Sequence, residues 1–156
     1  MRRYTKEAII PYKGTETFVL GVRLEDIRKE LKEGHIAFNQ WTDSNKDCTP
    51  PIPWTYIKIE ECITLCFVKD ILFEVVLEKG YEGKLTNGLY IGMRMEDALA
   101  VDTSLRYNDD DEDYVSKEGY WIGDSVESGA IESITVYIPE ADDAETFFRY
   151  DWISNY

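Results

Sequence analysis

The apolar positions of this chain follow two periods, and the switch between them occurs twice in nearly the same letters. In "RLEDIRKELKEG", Leu24, Ile27 and Leu31 recur three and four apart, which is one face of a helix. Glu25 and Asp26 stand in its first turn, where acid suits the positive end of the helix dipole. Lys29 and Lys32 suit the other end, and Gly34 supplies a stop. Upstream, Phe18 and Leu20 flank Val19 in a strand-like alternation that ends at Gly21, a residue able to turn sharply. The second occurrence alternates Leu89 and Ile91 around Tyr90, turns at Gly92, and sets Met95, Ala98 and Leu99 on one helical face. "FVLGVRLEDI" at 18–27 and "LYIGMRMEDA" at 89–98 thus share Gly, Arg, Glu and Asp, and their apolar positions match in type.

Each predicted helix leads into β-rich sequence. After the first come "HIAF" and a long polar segment in which Pro50, Pro51 and Pro53 enforce a stiff, non-helical crossing. "WTYIKIEECITLCFVKDILFEVVLEKG" then reads as strands broken near Glu60 and Glu61 and near Lys69 and Asp70. After the second helix, "SLRY" leads to the loop "NDDDED". "YVSKEGYWIGDSVESGAIESITVYIPE" then reads as two strands around a turn near Ser128 and Gly129. In it Ile134, Val136 and Ile138 alternate with Thr135 and Tyr137. The tail offers a helical stripe of Ala141, Ala144, Phe148 and Trp152, or a strand of Phe148, Tyr150 and Trp152; a short closing helix after Pro139 is the expectation.

The expected fold is α+β: two tandem β-α-β-β(-β) repeats over 14–82 and 83–139, a tail over 140–156, a mostly antiparallel sheet, and helices on one face. A lone half buries little surface, so both halves are expected to share one domain over 1–156.

Composition narrows the function. A chain of 156 residues, 44% hydrophobic and 13% aromatic, is large enough and apolar enough to build its own core. No apolar run approaches the roughly 20 residues of a membrane-spanning helix, and the basic start "MRRYTKEAII" lacks the apolar core of a signal peptide. A cytoplasmic location without membrane partners is expected. Cys48, Cys62 and Cys66 read as free thiols of a reducing compartment, with Cys62 and Cys66 buried as small apolar side chains.

Charge sharpens the picture. Lys and Arg number 17 against 31 Asp and Glu, a net charge of −14. Residues 1–78 hold 11 basic and 13 acidic side chains; residues 79–156 hold 6 and 18. Direct nucleic-acid binding needs clustered cations and is not expected. A negative half favours a basic partner and speeds the encounter with it.

Catalytic chemistry is thin. His35, the only histidine, follows the helix stop at Gly34, and no phosphate loop or metal-binding motif occurs. The dense cluster is "YNDDDEDY". Its run Asp109, Asp110, Asp111, Glu112 and Asp113 is contiguous, without the alternate spacing and central glycine of a calcium loop. No metal or cofactor is expected. Tyr107, Tyr114, Tyr120 and Trp121 lie close by, and Tyr and Trp anchor interfaces; one of Tyr120 and Trp121 has to point outward from an alternating strand. The expected partner-binding residues are Asp109, Asp110, Asp111, Glu112, Asp113, Tyr114, Trp121, Asp124 and Glu127.

The pair "LGVRLEDI" and "IGMRMEDA" resembles a bacterial pattern, leucine-glycine-methionine-serine/threonine followed by glutamate-valine. That pattern opens the helix of small α+β repeat proteins, among them outer-membrane assembly lipoproteins and the β-lactamase inhibitor proteins. The chain over 14–138 also looks similar to small bacterial immunity proteins of contact-dependent toxins. Arg23 and Arg94 stand where the pattern has its capping Ser or Thr, a loss of about 1 kcal/mol at each helix. The resemblance implies a non-catalytic cytoplasmic inhibitor of a toxin domain with a basic active-site surface, such as a nuclease. A non-catalytic scaffold or assembly module of the same fold is the alternative.

Overall fold

The computed structural model describes residues 4–45 and 52–156. Cys48, Pro50 and Pro51 lie outside the described residues. Helix α1 (Leu24–Glu33) precedes β1 (Phe38–Asn45), β2 (Ile52–Ile59), β3 (Ile63–Val68) and β4 (Ile71–Glu78). Helix α2 (Met95–Val101) precedes β5 (Arg106–Asn108), β6 (Asp113–Ser116), β7 (Tyr120–Asp124) and β8 (Ile131–Tyr137). A 3-10 turn at Pro139–Asp142, helix α3 (Ala144–Arg149) and a second 3-10 turn at Asp151–Asn155 close the chain. The tail is therefore helical, beginning at Pro139.

All eight strands form one antiparallel sheet in the order β1-β2-β3-β4-β8-β7-β6-β5. Two four-strand meanders meet at the β4–β8 pair, where Val75 faces Val136 and Leu77 faces Ile134. The breaks read near Glu60 and Glu61 and near Lys69 and Asp70 are the tight turns of β2–β3 and β3–β4, with φ of 53°, 64°, 49° and 67°. Consecutive left-handed residues match the twist of paired strands, which is why they end one strand and begin the next.

Alternation gives the sheet two unlike faces. Ile57, Ile59, Leu65, Val75, Leu77, Ile122, Ile134 and Val136 are all fully buried. The inner residues of α1 (Leu24, Ile27, Leu31) and α2 (Met95, Ala98) join them in one core. Tyr56, Lys58, Thr64, Glu74, Val76, Trp121 and Ser133 point the other way and are only half-buried. Helix α3 belongs to this second side. Phe147 packs 5.1 Å from Phe73 and 6.0 Å from Trp54, and Trp54 alternates with buried Ile57 through Thr55. The expectation of helices on one face does not extend to α3.

The leading strands expected before each helix are absent. Phe18 and Leu89 are buried and Val19 and Tyr90 exposed, so the alternation is real, but residues 15–22 run as turns with an isolated Gly14–Val19 bridge. Gly14 and Gly21, at φ of 98° and 94°, bend the chain too closely for a ladder to develop between them. The sequence after the acidic loop also holds three strands rather than two, because residues 117–119 make a turn between β6 and β7.

Neither helix is capped by a side chain at Arg23 or Arg94. Backbone carbonyls do that work instead. Leu24 N–H donates to Asp70 O at 2.9 Å, and Met95 N–H donates to Gly129 O at 2.9 Å. Gly21 N–H donates to Leu72 O and Leu72 N–H to Val22 O; Gly92 N–H donates to Ile131 O and Ile131 N–H to Met93 O. Each helix start is thus stitched to the beginning of the last strand of its own meander, which satisfies its exposed amides without Ser or Thr.

Candidate partner-binding surface

The acidic run is the turn of the β5–β6 hairpin. Asn108 shapes it by accepting from Asp110 N–H at 3.0 Å and donating to Asp111 at 3.3 Å, and Glu112 takes φ of 57°. Asp109, Asp110, Asp111 and Glu112 are exposed; Asp113, the first residue of β6, is half-buried. Asp124, half-buried at the end of β7, stands near enough to act on it. Burial pushes the Asp113 carboxyl above its ordinary value, and the charges of Asp111, Asp124, Glu112 and Glu132 push it further. Gly123 makes room for this crowd: a Cβ there would sit 2.4 Å from Ser133 Oγ and 3.2 Å from Asp113 Oδ1. Glu132 belongs to the cluster although its place in "IESITVY" gives no hint of it; only the β7–β8 register brings it there.

The aromatic candidates divide between the two faces. Tyr114 pairs with Ile122 and Tyr107 with Tyr114, so both lie on the helix-covered side, with ring centroids 5.2 Å apart. Tyr107 is 50% exposed at the rim, and its hydroxyl is raised by desolvation and then by Glu112, Asp109 and Asp124. Trp121 pairs with Val115 and Thr135 on the opposite, uncovered side, its ring 4.8 Å from Tyr137, while its neighbour Tyr120 is fully buried. Glu127 stands apart. It is exposed in the β7–β8 loop and lines a cleft of about 680 Å³ with Lys79, Tyr81, Glu82 and Ile91.

Among the described residues, no three His, Cys, Asp or Glu side chains are placed to hold a metal ion. His35 is exposed at φ of 54°, where it ends α1.

Two further carboxylates went unnoticed in the sequence. Asp102, just past α2 and only 6% exposed, accepts from Ser116 Oγ and Tyr120 OH, each at 2.5 Å, and from Ser104 N–H and Oγ at 2.9 and 2.7 Å. Burial raises its carboxyl, but these hydrogen bonds outweigh burial and leave it below the ordinary range. Its partners reach it from β6 and β7, so Asp102 ties α2 to the sheet.

Glu74 lies on the side opposite α1 and α2, in a row that crosses five strands: Trp41, Tyr56, Cys66, Glu74 and Tyr137 are successive register partners. Trp41 and Tyr56 stack at 5.3 Å. Burial lifts the Glu74 carboxyl to about 7; the Cys66 thiol donates to it and opposes the rise, and Asp113 adds to it. Burial, with Glu74 beside it, pushes the Cys66 thiol well above its ordinary value. No described lysine or arginine forms an ion pair with Glu74. The available signal was a charged residue inside the apolar run "ILFEVVLEKG".

No helix among the described residues is long and apolar enough to cross a membrane. No protein-family model, curated protein or solved structure matches this chain.

Proposed function

We propose that this protein is a non-catalytic inhibitor of the immunity type, which binds a toxin domain and covers its basic active-site surface. The observation that carries the reading is the corner of the sheet at the β5–β6 hairpin. There Asp109, Asp110, Asp111, Glu112 and Asp113 form one hairpin, and burial, with the charges of Asp111, Asp124, Glu112 and Glu132, holds the Asp113 carboxyl above its ordinary value. Such crowding costs energy in the free protein and is relieved by a cationic partner. Tyr107 and Tyr114 supply aromatic area beside the hairpin, and Trp121 supplies it on the other face. The internal likeness of 18–27 and 89–98, with matching backbone bonds at both helix starts, supports descent from a duplicated helix-and-meander unit in which the later copy became acidic.

The test mixes the purified protein with the toxic domain encoded beside its gene and measures binding at low and high salt. Affinity is expected to fall at least about tenfold with added salt, and similarly when the five acids of 109–113 become Ser. Affinity unmoved by either change discards the electrostatic mechanism. One observation favours the second reading, a scaffold module docking along a sheet edge. Strand β1 is an eight-residue outer strand with a single sheet partner, β2. A scaffold of that kind binds without strong salt dependence.

A further inference from the structure

We propose that the sheet face opposite α1 and α2 carries, between α3 and Tyr12, a protein-docking surface whose centre, the Glu74 carboxylate, receives a lysine or arginine side chain of the partner. The inference rests on the reading that this protein acts by binding another protein, and it places a second contact away from the acidic hairpin. Three observations converge on Glu74. First, it sits half-buried on strand β4, the middle of the sheet, with Cys66 as its hydrogen-bond donor and no ion pair to any described residue. Lys58 shares this face but stands two strands away in the next row and makes no ion pair with it. Second, aromatic side chains flank the carboxylate on both sides. Tyr56 lies two strands away toward β1 in the same row, with Trp41, 40% exposed, stacked beyond it; toward β5 Tyr137 is the next residue of the row, and Trp121, two strands away in the next row, packs on it. At about 4.8 Å per strand this makes an aromatic-edged floor about 20 Å wide with one negative charge at its centre. Third, helix α3 covers the Trp54 and Phe73 end of this face and Tyr12 packs 6.0 Å from Tyr137 at the other, so Glu74 lies between two covered ends.

A half-buried carboxylate without a counter-ion is costly to keep charged. A guanidinium or ammonium group delivered from outside recovers that cost, and its aliphatic stem lies along aromatic rings as such stems commonly do. The occupant is therefore a protein partner presenting a cationic side chain. A purely apolar surface would leave Glu74 buried and unpaired.

The probe is the peptide acetyl-Gly-Arg-Gly-amide, with its citrulline analogue as the neutral isostere, titrated into the full-length protein. NMR follows the Glu74 side-chain carboxyl carbon and the Trp121 indole N–H. Saturable shifts of both signals are expected with the arginine peptide, at least about tenfold weaker with citrulline and with Glu74→Gln. Trp121→Ala, which leaves the carboxylate intact, is expected to weaken binding about threefold. Affinity is expected to be about tenfold higher at pH 8 than at pH 6, because a carboxyl lifted to about 7 is mostly neutral at the lower pH. The ionisable groups sharing this face with Glu74 are the Cys66 thiol, the Tyr56 and Tyr137 hydroxyls, and the more distant Lys58 ammonium and Asp113 carboxylate. The thiol and both hydroxyls are raised and keep their protons across this window. Equal binding of citrulline, equal binding to the Gln variant, or no saturation short of about 0.1 M overturns the proposal. Toxin binding unmoved by Glu74→Gln also overturns it and leaves the toxin reading standing. Peptide binding that follows Glu74, with no toxin binding, removes the toxin reading and keeps this surface.

Discussion

Asp102 and Glu74 are both withdrawn from water, and the protein treats them in opposite ways. Asp102 lies on the helix-covered side, where three hydroxyls and one backbone amide turn toward it. Its negative charge is better satisfied than in water, and its carboxyl lies below the ordinary value. Glu74 lies on the opposite side with one thiol donating to it, and its carboxyl rises to about 7. Burial acts on both in the same direction; the number of donors decides the outcome. The difference separates a carboxylate that holds the fold together from one that the fold holds ready.

The comparison can be broken most forcefully at Asp102. Replacing it by Ala removes the one acceptor shared by the Ser104, Ser116 and Tyr120 hydroxyls in a closed corner. Urea unfolding at pH 7 is expected to show a loss of about 3 kcal/mol or more. A folded-state carboxyl below its ordinary value contributes stability above that value and loses it as pH falls through the lower, folded one. The penalty of Asp102→Ala is therefore expected to shrink in acid, below the ordinary value of 3.8.

Glu74→Gln sharpens the contrast in the opposite sense. With the folded carboxyl raised from 4.5 to about 7, Glu74 contributes stability at low pH and loses it as pH rises through about 7. The Gln variant is expected to be more stable than the parent by about 2 kcal/mol at pH 8 and equal to it near pH 4, as read by unfolding at both values. A destabilised variant at pH 8 would mean that Glu74 is satisfied in the way Asp102 is. The smallest effect is expected from Cys66→Val, which keeps the shape and removes the donor. The Glu74 titration midpoint is expected to move up by about half a unit in carbon NMR, with stability changed by under about 1 kcal/mol. A downward shift would show that the thiol does not donate.

Sequence reasoning was strongest where the signal is local. The stripe of Leu24, Ile27 and Leu31 is α1, and the paired polar residues Glu60, Glu61, Lys69 and Asp70 are its following turns, because turn and helix chemistry acts over a few neighbouring residues. The acidic run also fell where expected, in an exposed hairpin. What was not legible depends on register. Asp102 meets Ser116 and Tyr120 from 14 and 18 residues away, and Glu132 joins Asp113 only once β7 and β8 pair. The leading strands failed because Phe18, Leu20, Leu89 and Ile91 show the right alternation, while the glycines around them decide the backbone. Tyr114 and Trp121 looked like one patch because they are close in sequence, yet strand parity sends them to opposite faces. How far the second face is covered depends on where the tail and the N-terminal loop land: α3 packs on Trp54 and Phe73, and Tyr12 on Tyr137.

The seam between the two meanders has a kinetic consequence. Every other strand pair joins sequence neighbours through a hairpin, whereas β4 has to find β8 across more than fifty intervening residues. The outer hairpins can zip early and the centre is welded last. Until then "ILFEVVLE" offers a bare apolar margin, with Val75 and Leu77 awaiting Val136 and Ile134. While it waits, the same margin of another copy competes for it, so crowding during synthesis tests this protein at its middle rather than at its rims.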